Sequence, residues 1–252
     1  MKEELKKQTG HWIDLDRKAY QNNRFMFSDF LSEGELSDFL ELPAHTFQSE
    51  VTLYGGFEEA TRKMIRFGNA TEWGYSEDFP ITVLRISPLS KKFSEDLSHR
   101  DFLGALMNLG IERKLLGDLV LKENEAFLLC KDSIASFICQ ELTRVRHTTV
   151  QAKETADVEG DLEPDTEEST IVVSSLRLDL ITAKLCNLSR KEMAKYLIDR
   201  KVFVNGKNTT NATYRVQDQD KISVRGFGKF QFVAVNYETK KGNLNITVRK
   251  YV

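Results

Sequence analysis

No apolar run in this 252-residue chain approaches the roughly 18 residues that a membrane-spanning helix needs. The opening Met1-Lys2-Glu3-Glu4-Leu5-Lys6-Lys7 also lacks the apolar core of a secretory signal, so the expected address is the cytoplasm. Cysteine is scarce. Cys130, Cys139 and Cys186 are odd in number and widely spaced, with neither the C-x-x-C pairing of a zinc site nor a disulfide framework, and are expected to be buried thiols. Nucleotide signatures are missing too: Gly55-Gly56 is not part of a G-x-x-x-x-G-K-[ST] loop and reads as a turn. His99-Arg100-Asp101 imitates a protein-kinase loop, but Leu106 stands where that loop needs Asn, and no D-F-G occurs. Neither metal nor cofactor is expected, and no catalytic set is recognisable.

What is present is an uneven distribution of charge. The formal net charge is only −2, yet residues 174–252 hold sixteen Lys and Arg against six Asp and Glu, a balance of +10. Residues 151–170 hold Lys153 against eight acids, a balance of −7. One strongly basic region beside an acidic one is the electrostatic footprint of a nucleic-acid binder. With 40% apolar residues, the length allows two or three small domains.

The basic region has its own internal order. Ser174 and Ser175 offer N-cap chemistry to a short helix whose apolar face is Leu178, Ile181 and Leu185. Ser189-Arg190-Lys191-Glu192 has the form of a capping box, so a second helix is expected, packed through Met193, Ala194, Leu197 and Ile198 with Arg190, Lys191 and Lys195 facing solvent. Val202-Phe203-Val204 then meets Asn205-Gly206, the dipeptide best suited to a type I′ hairpin turn, followed by Lys207. A strand over Lys221–Val224 runs into Arg225-Gly226-Phe227-Gly228-Lys229, an aromatic ring between cations. That run can serve for stacking and phosphate contact, or as an ordinary glycine turn. Phe230–Val235 reads as a strand covered on both faces, and Thr239-Lys240-Lys241-Gly242 turns the chain into a last strand carrying Leu244, Ile246 and Val248.

Arg177-Leu178-Asp179, Ser189-Arg190, Lys201-Val202-x-Val204-Asn205-Gly206-Lys207 and Asp220-x-Ile222-x-Val224 resemble the S-four (alpha-L) RNA-binding domain. Two positions depart from that pattern: Met193 replaces a small residue, and Arg200 replaces the Gly that precedes the strand. Tyr54-Gly55-Gly56-Phe57-Glu58-Glu59-Ala60, the stretch from Leu97 to Leu106 with Gly110-Ile111-Glu112-Arg113 and Gly117-Asp118, and Val224-Arg225-Gly226-Phe227-Gly228 are similar to bacterial YlmH-type RNA-binding proteins. That resemblance covers most of the chain. It implies an RNA-recognition-like domain before the S-four domain, and a role on the ribosome.

The rest of the chain is consistent with this α+β reading. Residues 1–78 read as a mostly helical region: Trp12, Ile13, Leu15 and Tyr20 begin one amphipathic stretch, and Ser32-Glu33-Gly34-Glu35 opens another through Leu36, Phe39 and Leu40. Arg62, Lys63 and Arg66 are expected on a short basic helix. Residues 79–153 give strand, helix, two strands joined about Glu123-Asn124-Glu125, and helix, which is the core of a split βαβ plait. The final strand comes from Thr148–Gln151 or Ile171–Val173. Residues 154–173 have the composition of an acidic linker or loop, and residues 174–252 form the S-four domain with its hairpin, expected to fold alone.

The expected function is non-catalytic binding of structured RNA, ribosomal or transfer, at the large ribosomal subunit, in translation or ribosome-associated quality control. DNA is not an expected partner. The expected contacts are Arg177, Ser189, Arg190, Lys191, Lys195, Arg200, Lys201, Asn205, Lys207, Arg225, Phe227, Lys229, Lys240 and Lys241. In the plait, which has no aromatic RNP sequence, the candidates are Arg100, Arg144, Arg146 and His147. An RNA-modifying enzyme of the pseudouridine-synthase type, to which S-four domains are also appended, and a protein-interaction adaptor are the alternatives.

Overall fold

The computed structural model describes residues 2–90, 95–122, 125–156, 162 and 165–251, the side chains of residues 2–4 and 44 excepted. The apex expected at Glu123 and Asn124, and residues 157–161 and 163–164 of the acidic segment, lie outside these. The chain divides into two compact units, Met1–Glu163 and Pro164–Val252.

The first unit opens with α1 (Lys2–Asn22), β1 (Met26–Phe27), α2 (Glu33–Leu40), β2 (Val51–Tyr54), β3 (Met64–Phe67) and α3 (Ala70–Trp73). Ser32 and Glu35 close the capping box of α2. Trp12, Leu15 and Ala19 recur on one face of α1 and pack against Leu36, Phe39, Ile65 and Phe67, whereas Ile13 and Tyr20 face water. The region is less helical than its pattern suggests, because three short strands pair antiparallel in the order β1-β3-β2. Arg62, Lys63 and Arg66 therefore lie on or just before a strand rather than a helix. Arg62 is a structural tie: its guanidinium donates to the carbonyls of Leu116 at 2.9 Å and Phe30 at 3.0 Å. The turn after Tyr54 is dictated by packing, since a Cβ on Gly56 (φ 100°) would meet Leu129 at 2.0 Å.

The plait follows in the same unit as β4 (Ile81–Pro88), α4 (His99–Asn108), β5 (Leu116–Lys122), β6 (Glu125–Lys131), α5 (Asp132–Glu141), β7 (Arg144–Val145) and β8 (Thr148–Glu154). Its strand order β5-β6-β4-β8-β7 is that of a split βαβ sheet with a hairpin added at one edge, and β8 supplies the final strand. Leu84, Ile86, Phe102, Leu106, Leu128 and Ile138 form the core between the sheet and its two helices. Cys130 is buried there and its thiol is pushed up to about 12 by burial, whereas Cys139 is only half-buried.

The second unit comprises β9 (Thr166–Val173), α6 (Leu178–Leu185), α7 (Arg190–Ile198), β10 (Val202–Val204), β11 (Lys207–Asn208), β12 (Lys221–Val224), β13 (Gly228–Glu238) and β14 (Leu244–Tyr251). One antiparallel sheet, β11-β10-β12-β13-β14-β9, receives the helix pair. Leu178, Ile181, Met193 and Leu197 pack on Val202, Ile222, Phe230, Phe232 and Val248. The end of the acidic segment is thus not a linker: β9 pairs along β14 with Glu168 opposite Arg249 and Glu167 opposite Lys250, and Glu168 binds Arg249 at 2.6 Å. Opposite charges across paired strands favour that register. On β13, Phe230, Gln231 and Phe232 are buried, but Val235 is exposed, so the strand is covered on both faces for only part of its length.

Candidate nucleic-acid interface

The cations of the second unit are positioned by two short helices and the turns that end them. The first begins at Leu178, not at the two serines. Arg177 stands at its N-cap without a side-chain capping bond, and the amides of Leu178 and Asp179 donate to the carbonyls of Tyr214 at 2.9 Å and Ala212 at 3.2 Å. A passing loop thus satisfies the amides that a serine would otherwise cap. The second helix starts as expected: the Ser189 hydroxyl accepts from the Glu192 amide, and the Glu192 carboxylate accepts from the Ser189 amide at 2.8 Å. The Ser189 hydroxyl donates to the same carboxylate at 2.6 Å, and this bond, with that from the Ser189 amide, holds the Glu192 carboxyl below the usual carboxylate range, keeping a negative charge at the dipole's positive end. The Ser189 hydroxyl is therefore committed to the cap.

Asp179 joins the starts of the two helices. Its buried carboxylate accepts two bonds from Arg177, at 3.0 and 2.9 Å, and one from Arg190 at 3.3 Å. Two guanidinium groups at the starts of different helices are thereby held close together, that of Arg190 exposed and that of Arg177 partly so. Lys191 and Lys195 are exposed on the next turns of α7. Met193 and Leu197 face the core, but Ala194 and Ile198 do not, and Ile198 is 75% exposed. The outward face of α7 is therefore cationic with an apolar centre.

At its other end α7 closes in a tight reversal. Lys201 N–H bonds to Tyr196 O at 2.9 Å and Arg200 N–H to Leu197 O at 3.1 Å, with Arg200 at φ 56°. This is the Schellman arrangement, whose left-handed position usually takes Gly. Here an arginine occupies it, and its Nε donates to Asn208 Oδ1 at 3.0 Å. Tyr196 meets Phe227 edge to face at 5.6 Å, and the Lys201 ammonium lies 5.2 Å from the Tyr196 ring centre. The Arg225 amide donates to the Lys201 carbonyl at 2.9 Å. The β12–β13 turn is thus docked against the end of α7, and only about 9 Å of helix rise separates Arg190 from Tyr196 of this aromatic pair. Tyr196 was not among the expected contacts, because its partner lies thirty-one positions away and no local pattern links them. Arg215, whose backbone bridges to Arg177, was missed for the same reason.

Other expected residues are placed elsewhere. Asn205 (φ 51°) and Gly206 (φ 76°) form the type I′ turn, and Lys207 is exposed beyond it. The Asn205 side chain is occupied: it donates to buried Asp220 at 2.7 Å and accepts from the Lys221 amide at 2.9 Å. Tyr214 also donates to Asp220, at 2.9 Å, so this corner is a fixed scaffold. Lys229 lies 4.8 Å from the Tyr251 ring centre, beside the turn. Lys240 and Lys241 are exposed on the β13–β14 turn, separated from Arg225 and Phe227 by the eleven residues of β13, on the order of 30 Å of strand.

In the first unit the structure gathers Arg100, Arg144 and Arg146 around one cleft, while the His147 amide turns to Glu95 at 3.3 Å. Among the described residues no helix is long and apolar enough to cross a membrane, and no group of metal-ligating side chains is present.

Residues 75–159 match the family model described as "Putative RNA-binding domain in YlmH". A 58-residue stretch is 41% identical to an uncharacterised RNA pseudouridine synthase homologue of Mycoplasma pneumoniae, covering 23% of this chain and 19% of that protein. A solved structure titled cell division protein ylmH from Streptococcus pneumoniae aligns with a TM-score of 0.49 at 20% identity, over 62% of this chain and 92% of that one. Ribosome-associated protein quality control protein P2 of Bacillus subtilis is 31% identical over 242 residues, 94% of this chain and 92% of that protein. Similarity of that extent runs through both units, and the chain belongs to the YlmH family of RNA-binding proteins.

Proposed function

We propose that the chain is a non-catalytic RNA-binding protein whose second unit is an S-four domain that grips ribosomal or transfer RNA at the large ribosomal subunit, in the cytoplasm. The process it serves is ribosome-associated quality control or translation. The observation that carries this reading is the surface along α7: Arg190, Lys191 and Lys195 lie on one nine-residue helix, Asp179 holds Arg177 beside Arg190, and at the other end Lys201 lies 5.2 Å from Tyr196 of the aromatic pair, with the Arg225 amide bonded to the Lys201 carbonyl. Guanidinium forks at one end suit phosphate oxygens, and the half-buried Tyr196–Phe227 pair at the other suits a base or ribose. No reacting group is needed for such a grip. The name of the Bacillus subtilis relative supports the ribosomal setting. Lys240 and Lys241 are proposed as an outlying contact, and Ser189 and Asn205 as residues that position their neighbours.

The test is co-sedimentation of the full chain with purified large ribosomal subunits at rising salt, beside the Arg190→Ala/Lys191→Ala variant. Salt-sensitive binding that the variant weakens supports the reading, and binding indifferent to both overturns it. The partial match to a pseudouridine synthase homologue covers 19% of that protein, too little to bring a catalytic domain with it. Uridine isomerisation of ribosomal RNA by the purified protein would favour the enzymatic alternative.

A further inference from the structure

The RNA-binding family model lies on the plait, yet the surface with which such a plait commonly meets RNA is closed. RNA-recognition domains stack bases on aromatic side chains of their open sheet face. Here one face carries α4 and α5, and on the other Val83, Phe127 and Leu129 are covered by Phe57 and Leu162 of the same unit. Any RNA contact by these residues must therefore come from elsewhere on the plait.

The edge beside α4 offers such a place. Arg100 in the first turn of α4 and Arg144 and Arg146 on the β7–β8 hairpin line an open cleft of about 530 Å³, and all three are exposed. The carboxylates on its walls are Asp101 and Glu141. Asp101 is engaged in the cap of α4, where it accepts the Ser98 amide at 2.9 Å and hydroxyl at 2.6 Å. Its pairing with Arg146, at 3.7 Å and with the arginine half exposed, is of the kind that contributes little and exchanges readily for a stronger anion.

Two residues of the cleft are unfavourable for local stability. Gly104 sits in the middle of α4, on the same face as Arg100, where it costs about 1 kcal/mol relative to Ala, and a Cβ there would meet nothing within 4 Å. No packing requirement explains the glycine. Arg146 holds φ 52° at the tip of a tight hairpin, a left-handed position that Gly or Asn adopts at less cost. A bare helix face opposite a strained, outward arginine makes room for a bulky anion and provides charge to hold it.

We propose that the cleft between α4 and the β7–β8 hairpin is a second RNA site, in which Arg100, Arg144 and Arg146 bind successive backbone phosphates of a structured RNA. Gly104 lets the sugar-phosphate chain approach the helix, and three guanidinium forks match phosphate oxygens in pairs. The contact reads shape rather than sequence. It rests on the RNA-binding reading of the chain, but not on the surface along α7.

The test uses the full chain and a fluorescein-labelled RNA stem-loop from the large-subunit ribosomal RNA. Affinity is measured across a salt series for the wild type, for Arg100→Gln/Arg144→Gln/Arg146→Gln, and for Arg190→Gln/Lys191→Gln. Loss of three phosphate contacts should flatten the slope of log K against log salt by about 2 to 2.7. In parallel, phenylglyoxal modification of the wild type, read by mass spectrometry, should show RNA protecting Arg144 and Arg146 but not exposed Arg24. That readout does not depend on the folding of any variant. An unchanged slope in the triple variant with no protection, while the α7 variant binds more weakly, overturns this site and leaves the proposed function standing. Protection by nuclease-treated ribosomal proteins but not by RNA overturns it in favour of a protein contact. No RNA binding by the wild type overturns both.

Discussion

Replacing Arg190 and Lys191 together by Ala should weaken RNA binding in a salt-dependent way while leaving the second unit folded. The folding half follows from Asp179. Its buried carboxylate loses the 3.3 Å bond from Arg190 but keeps both bonds from Arg177, so no unpaired buried charge results. Arg190 is 65% exposed at its side chain and Lys191 is exposed, so the stability change should stay under about 1 kcal/mol. The binding half follows from counterion release. Each lost phosphate contact flattens the slope of log K against log salt by roughly 0.7 to 0.9, so two should flatten it by about 1.6. Between 50 and 200 mM salt the ratio of wild-type to variant affinity should therefore shrink by about ninefold. Fluorescence anisotropy with a labelled ribosomal RNA stem-loop reads the slope, and far-ultraviolet circular dichroism reads the fold. Lys240→Ala/Lys241→Ala, at the far end of β13, serves as the comparison and should flatten the slope less. An unchanged slope with a native spectrum in the Arg190/Lys191 variant would refute the phosphate assignment. A collapsed spectrum would refute the account of Asp179.

Three further outcomes are expected. A fragment beginning at Pro164 should fold alone. One beginning at Ser174 should be less stable in urea, because it loses β9 and uncovers the edge of β14; equal midpoints would show that β9 adds nothing. Asp179→Ala should cost about 1–2 kcal/mol, since both guanidinium groups it releases can reach water, and should weaken RNA binding by freeing them; a stability loss beyond about 4 kcal/mol would mean that the pair is effectively desolvated. Arg200→Gly relieves a left-handed backbone worth about 1–2 kcal/mol but gives up the 3.0 Å bond to Asn208, worth about 0.5–1.5 kcal/mol. Stability should stay nearly constant while the salt slope flattens by roughly 0.7–0.9; an unchanged slope would remove Arg200 from the interface.

Local chemistry in the sequence was enough wherever a feature closes within a few residues. The capping boxes at Ser32, Ser98 and Ser189 and the Asn205-Gly206 turn are all present, because each satisfies its own backbone groups without help from elsewhere. The strand and helix order of the plait was legible for a related reason: buried strands and amphipathic helices differ in the period of their apolar residues. Arg190, Lys191 and Lys195 could be assigned to the solvent face of α7 from that period alone.

Tertiary structure decided what periodicity cannot. The Ser174–Ser175 cap was displaced because the carbonyls of Ala212 and Tyr214, far along the chain, reach the amides of α6 first. Ile198 reads as core by composition but faces water, since α7 buries only the side bearing Met193 and Leu197. Residues 166–173 look like a solvated acidic loop, yet become a strand because β14 presents Arg249 and Lys250 opposite their glutamates. Arg62 belongs to a basic run, but three backbone carbonyls from two separate segments, Phe30 in one and Arg113 and Leu116 in the other, take up its donors. The same holds for both candidate RNA surfaces. The sequence determined by itself which side chains carry positive charge; only the folded chain decided which come together, because Tyr196 meets Phe227 where β10 pairs with β12, and Arg100 meets Arg144 and Arg146 where α4 packs against β7.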